Sequence, residues 1–485
     1  MAATDFERIF HPRRMAIVGV SSEGGYGFAN GMLIACRAMG FKGEILPVNP
    51  KGGSFAGQTI FRSVDDIPGG IDFAIVAVPA AAVPEALEAC RRKGAAGAEV
   101  LTAGFGETGT SEGRALEQQV REVAARGIRV VGPNCFGIYC PASGLTLLPG
   151  PDLSRESGPV AFLSQSGGMS IDLAHLGKWL GLRFSKVVSF GNGADLRKAE
   201  LLRYLADDPE TGVIAMYVEG VADGGEFFDA IREAGRCKPV VVLKGGLSEA
   251  GGRAVVGHTA SMGGSKAIWS GVLRQVNAVP VHDLEEMAQA CLAFSLLPPR
   301  AFRGISCVGG GGALGAAAGD AAEACGIGVP AFPDDLRRRV EAILPRPGSS
   351  APNPIDVANP FVPPEVLGRV LRLAAEDGRV ELQVLISLLY HYKSQARAMG
   401  VAVASITPFG ELAAEVAAVR ADTEKPVVMV LPDLKRGPDD LDLAEMMAQA
   451  REAFSSRGVP FFGSIGEALR AVGHVATYYG RRGEH

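Results

Sequence analysis

The feature that most restricts this chain's fold is a pattern that recurs in each third of it. A short apolar run, largely β-branched, ends in glycine or a small polar residue and is followed by a segment of helical periodicity. In the first third the runs are MAIVGV, DFAIVAVP, AEVLTAGF and RVVGPN; in the second, PVAFLSQSGG, SKVVSFGNG, VIAMYVEG and PVVVLKGG; in the last, GISCVGGGGALG, QVLISLLYH and KPVVMVLP. Strands that are apolar on both faces and alternate with helices indicate parallel sheets covered on both sides. The expectation is therefore an α/β protein of three doubly wound parallel-sheet domains, which a chain of 485 residues can accommodate.

Composition places the boundaries. Cys140 to Pro159 is rich in Pro, Gly and Ser and precedes a fresh strand, and Leu296 to Gly304 repeats this signal. Residues 1–150, 151–299 and 300–485 are the expected domains. A third proline-rich piece, Pro345 to Pro364, reads as a long surface loop or lid within the last of them.

Hydrophobic residues make up 47% and charged residues 21%, an ordinary globular balance, and the net charge of −5 offers no basic footprint for nucleic acid. No apolar segment is long enough to cross a bilayer, and the charged start MAATDFERIFHPRRM argues against a signal peptide, so a soluble cytoplasmic protein is expected. The eight cysteines are scattered without paired metal spacing, and no metal site is expected.

In such sheets ligands bind at the carboxyl ends of the strands, where helix N-termini attract anions. Each third opens with a glycine-rich loop at such a place. VGVSSEGGYGFANG, with Gly19, Ser21 and Ser22, departs from GxGxxG spacing but suits a phosphorylated adenine ligand, the other reading being a structural turn. LSQSGGMS offers Ser166, Gly167 and Gly168 to an anion, and the lack of a glycine two positions before Ser166 excludes a GxSxG nucleophile elbow. VGGGGALG carries Gly310, Gly311 and Gly312 into an alanine-rich helix, a costly run that suggests close ligand approach.

Of seven histidines only His258 lies among glycines and hydroxyls, in GRAVVGHTASMGGSK. A neutral imidazole there is a competent nucleophile for a phosphoryl group; the other reading is a satisfied structural histidine. Glu219, at the end of the run in MYVEG, is the carboxylate that could orient the ring, or else a surface glutamate.

The pieces GFKGEILPVNPKGG, AIVAVPA, AGFGETG, VGPNCFGI, GPVAFLSQSGG, FSKVVSFGN, YLADDP, YVEG, KPVVVLKGG, GHTASMGG and NPIDV run in this order over nearly the whole chain. In that ordered set the sequence resembles the α subunits of the ADP-forming (nucleoside-diphosphate-forming) acyl-CoA synthetases, relatives of succinyl-CoA synthetase. The resemblance implies a Rossmann-like CoA-binding domain followed by two flavodoxin-like ligase domains. It implies the conversion of a small carboxylic acid, CoA and ATP to acyl-CoA, ADP and phosphate through a phosphohistidine and an acyl phosphate. By motif, His258 would carry the phosphoryl group and Glu219 would orient it, with the Ser166 to Gly168 and Gly310 to Gly312 loops holding the phosphate. Lys51 resembles a lysine that meets a CoA phosphate, while Val78, Pro79, Asn134 and Cys135 resemble walls near pantetheine, Cys135 in a pocket role rather than as a catalytic thiol. Gly251, Gly252, Gly257, Gly263 and Gly264 would let the His258 loop swing between sites.

The loop after the histidine departs from the family's more frequent Leu-Ala-Gly, reading Ala260, Ser261, Met262, Gly263 and Gly264. An ATP-grasp domain, on the order of two hundred residues, has no room among the three domains assigned. ATP and Mg²⁺ are therefore expected through a separate ATP-grasp β subunit, in an α2β2 assembly. Two other functions compete: a non-catalytic CoA-sensing protein, and an NAD-dependent dehydrogenase. The second suffers from lysine in VNPKGG where NAD binding favours an acidic residue.

Overall fold

Strands drawn from the apolar runs, buried on both faces, assemble into one five-stranded, one six-stranded and one further five-stranded sheet, each flanked by helices. The computed structural model describes residues 4–22, 27–148, 150, 152–253 and 265–482. It divides into two compact units, Met1–Cys291 and Leu292–His485. The first unit holds two of the large sheets and the second holds the third.

In the first sheet the strands Glu44–Val48, Arg14–Val18, Phe73–Val76, Gly97–Val100 and Arg129–Val131 lie side by side, all parallel. Numbered along the chain, this is the order 2-1-3-4-5. The second sheet repeats it: Phe184–Ser189, Ser157–Ser164, Val213–Val218, Val240–Lys244 and Val279–Val281 are parallel in the same order. The third does so again with Ile355–Asp356, Ile305–Gly309, Leu382–Ile386, Val427–Val430 and Phe461–Phe462. The α/β doubly wound class expected from the sequence is what the chain adopts. In this order the connections diverge from the first strand, and the crevice between the carboxyl ends of strands 1 and 3 is where ligands bind.

Two strands come from segments that carry no strand pattern. Gly137–Tyr139 pairs antiparallel with Phe184–Ser189 and closes one edge of the second sheet, although it precedes that sheet's other strands. Ile355–Asp356 lies inside the proline-rich piece expected to be a loop. It is held there because the Asn353 amide bonds to the backbone of Ile305 and Pro330 and accepts from Cys307 N–H, as a neighbouring strand would. The core of the first unit runs without a break from Met15 and Ile17 of the first sheet to Ala161, Leu163 and Met216 of the second.

Candidate functional site

At the switch point of the first sheet, Arg14–Val18 leads into Gly19. Its φ is +116°, and a Cβ there would lie 2.4 Å from the carbonyl oxygen of Ala77, so only glycine lets the ends of strands 1 and 3 approach this closely. The Asn30 side chain then grips both backbone groups of Ser21, at 2.8 Å each. The VNPKGG turn packs onto this loop: a Cβ on Gly53 would meet the Ser22 side chain at 2.8 Å. Lys51 stands exposed on the turn, with its N–H donated to Asn49 Oδ1. Val78 and Pro79 follow strand 3, Val78 tied through its carbonyl to the Thr102 hydroxyl at 2.6 Å. Gly19, Ser21, Ser22, Lys51, Val78 and Pro79 thus gather at one edge of one sheet.

Asn134 takes a left-handed φ of 56°, and a Cβ on Gly191 would lie 2.2 Å from its carbonyl oxygen, joining the first sheet to the loop after Phe184–Ser189. The Cys135 side chain faces the core instead of a pocket. Its thiol donates to Val100 O at 3.3 Å, and burial, with nearby Glu99, pushes the thiol well above its usual pKa. Any contact of Cys135 with a ligand would have to come from its backbone.

The second switch point has a cavity of about 680 Å³ whose wall includes Ser166, Gly167, Gly168, Gln165, Asn134 and Phe136. Ser166 caps the helix Gly167–Leu180 by accepting from Met169 N–H, which leaves the first amides of that helix for an anion. A Cβ on Gly167 would strike the Phe136 ring at 2.5 Å. Across the crevice, Val213–Val218 ends at Glu219, which is 7% exposed. Its Oε1 accepts from the Tyr217 hydroxyl at 3.2 Å, and its Oε2 is buried with no hydrogen-bond partner among the described residues. A buried lone acceptor of this kind is rare and suits a donor brought by a reacting group. Glu219 is therefore no surface glutamate.

The same cavity is walled by groups that sequence reasoning did not single out. Asn192 donates to Glu107 and Glu117 at 2.6 and 2.9 Å, and Arg121 pairs with Glu117. Burial works against the charge on Glu107, but hydrogen bonds from Asn192 and from the amides of Gly104 and Phe105 outweigh it and hold this carboxyl below its usual range. The signal was present in AGFGETG and FSKVVSFGN, read only as motifs.

In the second unit, Ile305–Gly309 opens into Gly310, Gly311 and Gly312, and the helix Gly312–Ala324 begins with no side-chain cap. Gly311, at φ +116°, does not offer its amide freely: it donates to Asp356 Oδ1 at 2.8 Å, an oxygen that also accepts from Ala358. The acidic residue of NPIDV thus sits at the third loop, a position the glycine count alone could not reveal. His258, with Gly257, Gly263 and Gly264, lies outside the described residues. Among the described residues no group of three or more His, Cys, Asp and Glu is arranged for a metal ion, and no helix is long and apolar enough to cross a membrane.

Residues 13–141 match the family described as CoA binding domain, and residues 157–294 that described as succinyl-CoA ligase like flavodoxin domain. The chain is 36% identical over 384 residues to acetate–CoA ligase [ADP-forming] I of Archaeoglobus fulgidus, covering 78% of this chain and 54% of that one, so it spans about half the length of that relative. It is 35% identical over 357 residues to acetate–CoA ligase [ADP-forming] I subunit alpha of Pyrococcus furiosus, covering 72% of this chain and 76% of the relative. Among solved structures it resembles the dinucleotide forming acetyl-coenzyme A synthetase 1 of Ca. Korarchaeum cryptofilum in complex with phosphate and ADP. That likeness has a TM-score of 0.83 and 29% identity, and covers 99% and 98% of the two chains.

Proposed function

The chain belongs to the ADP-forming acyl-CoA synthetases, and from that premise we propose that it is the α subunit of such an enzyme, joining a small carboxylic acid to CoA at the expense of ATP. The observation that carries the reading is Glu219: a buried carboxylate with one unpartnered oxygen, at the end of the strand next to the one that leads into the helix N-terminus at Gly167 and Gly168. In this proposal His258 accepts the phosphoryl group on one ring nitrogen while Glu219 Oε2 takes the N–H of the other, which fixes the tautomer and favours the developing imidazolium.

The residues then divide the work. The helix N-terminus at Ser166, Gly167 and Gly168 receives the phosphoryl oxygens at the acyl end. Gly310, Gly311 and Gly312 serve the other end, where Asp356 must yield the Gly311 amide to an arriving phosphate. Gly19, Ser21 and Ser22 line the nucleotide part of CoA, Lys51 meets one of its phosphates, and Val78, Pro79 and the backbone of Asn134 and Cys135 line the path of the pantetheine. In the synthetic direction a carboxylate oxygen of the acid attacks phosphorus and the N–P bond breaks. The CoA sulfur then attacks the acyl carbon, the C–O bond to phosphate breaks, and the thiol proton leaves with the phosphate. Residues 1–150 hold CoA in this scheme, residues 151–299 carry the phosphohistidine, and residues 300–485 form the second ligase domain. ATP and Mg²⁺ enter with an ATP-grasp β subunit in an α2β2 assembly in the cytoplasm.

Labelling tests the reading. Incubated with acetyl-CoA and [³²P]phosphate, the purified chain should acquire acid-labile label; His258→Asn should abolish it, and Glu219→Gln should slow it by about 100-fold or more. Both variants should keep the CoA affinity of the parent in calorimetry, whereas Lys51→Ala should weaken it. Binding of CoA with no label under any condition would leave a CoA sensor in place of a synthetase.

A further inference from the structure

The two residues Glu219 and Gly220 form the turn at the second switch point, and all four of their backbone polar groups are taken by side chains. Gln165 Oε1 accepts from both amides, at 3.1 and 3.3 Å. Lys244 donates to the Glu219 carbonyl at 2.7 Å, and Lys198 donates to the Gly220 carbonyl at 2.7 Å. The three side chains come from three places: the loop after Ser157–Ser164, the end of Val240–Lys244, and the first position of the helix Lys198–Asp207.

A ligand-binding turn at a switch point leaves its backbone groups open; this one spends them all internally. The lysines make the arrangement costly. Neither forms an ion pair among the described residues, and each lies over an aromatic ring, Lys244 over Trp269 at 5.2 Å and Lys198 over Phe190 at 5.8 Å. Burial depresses both ammonium groups, Lys198 to about 8, and the Glu219 carboxylate opposes it only in part at Lys244. Lys198 also stands at a helix N-terminus, the end that disfavours a cation. Both ammonium groups are thus spent on backbone carbonyls of one turn and not on an ion pair, an arrangement an apolar residue could not supply.

We propose that Gln165, Lys198 and Lys244 are positioning residues, a mount that fixes the Glu219–Gly220 turn so that Tyr217 engages Oε1 of Glu219 and Oε2 stays aimed at the reacting group. The inference rests on the role assigned to Glu219 above. It also joins two parts of the site mechanically, because Gln165 directly precedes the Ser166 anion loop: displacing that loop shifts the carboxylate.

Two measurements on the full chain test it. Amide hydrogen exchange at Glu219 and Gly220 should be slow in the parent and faster by about 10-fold or more in Gln165→Leu, which removes the shared acceptor. Label uptake from acetyl-CoA and [³²P]phosphate should fall about 10- to 100-fold in Lys198→Met, with CoA affinity unchanged, and recover in Lys198→Arg, which restores the donor. Should Lys198→Met fail to fold, Tyr217→Phe, which keeps the ring and removes the donor to Oε1, is read the same way. Unchanged exchange in Gln165→Leu overturns the mount. Normal labelling in folded Lys198→Met overturns its role in positioning. If the parent takes no label while exchange still responds, the reading of Glu219 falls and the mount stands without a catalytic purpose.

Discussion

Glu99 is a carboxyl group with no cation to answer it among the described residues. It is 1% exposed in the middle of Gly97–Val100; Oε2 accepts from Ile138 N–H at 2.9 Å, and Oε1 has no partner among the described residues. Burial holds its pKa well above the carboxylate range. An unfolded glutamate loses its proton near about 4.3, so above that pH the folded state binds the extra proton and stability drains as pH rises toward the folded pKa. Glu99→Gln should therefore match the parent in Tm near pH 4 and gain on it by pH 8, with up to about 1.4 kcal/mol for each unit crossed. A constant Tm difference would mean that Glu99 is ionised in the fold. Lys198 behaves in the opposite sense. Burial, then Arg197 and Lys244, bring it to about 8, below its unfolded value, so above that pH it bonds Gly220 only as a neutral amine, a weaker donor than the ammonium. Labelling of the parent should decline with a midpoint near that value and persist to higher pH in Lys198→Arg. The sequence brought Glu219 and Ser166 into view because each ends an apolar run at a glycine. Glu99 and Lys198 stayed hidden, and Asp356 and Asn192 were seen only inside the motifs NPIDV and FSKVVSFGN, since their importance lies in what the fold sets beside them.

Among the elements, the strand-to-helix loops were the most legible. Glycine is placed where a Cβ would strike backbone, and that demand is written into the sequence. Gly19→Ala puts a side chain 2.4 Å from Ala77 O at a φ of +116°. It should cost about 1–3 kcal/mol in denaturant unfolding and weaken CoA binding in calorimetry. Full stability with full affinity would remove Gly19 from the site. The order 2-1-3-4-5 was not legible, because alternating runs tell which segments are strands and not which are neighbours. Nor were Gly137–Tyr139 and Ile355–Asp356, edge strands of three and two residues whose conformation comes from the partner strand and from Asn353, with too few residues to show a period.

For the whole molecule, three similar sheets were foreseen, but their grouping was not: the first two share one continuous core in the unit Met1–Cys291, and the third belongs to Leu292–His485. A periodicity describes one segment at a time and carries no record of which cores merge. CoA held at 100 times its Kd should stabilise the first unit by about 2.7 kcal/mol. Exchange protection should rise through both sheets of that unit and not in residues 292–482. Protection spread evenly over both units would show that CoA binding is coupled to the third sheet. The strand Gly137–Tyr139 also constrains how such genes can be rearranged. A break within the codons for Cys140 to Pro159 would part the second sheet from its edge and bare the backbone of Val187 and Val188 to any passing chain, an invitation to aggregate. Any piece of this chain that is to keep the second sheet whole must therefore begin before Gly137, inside what the composition marks as the first domain.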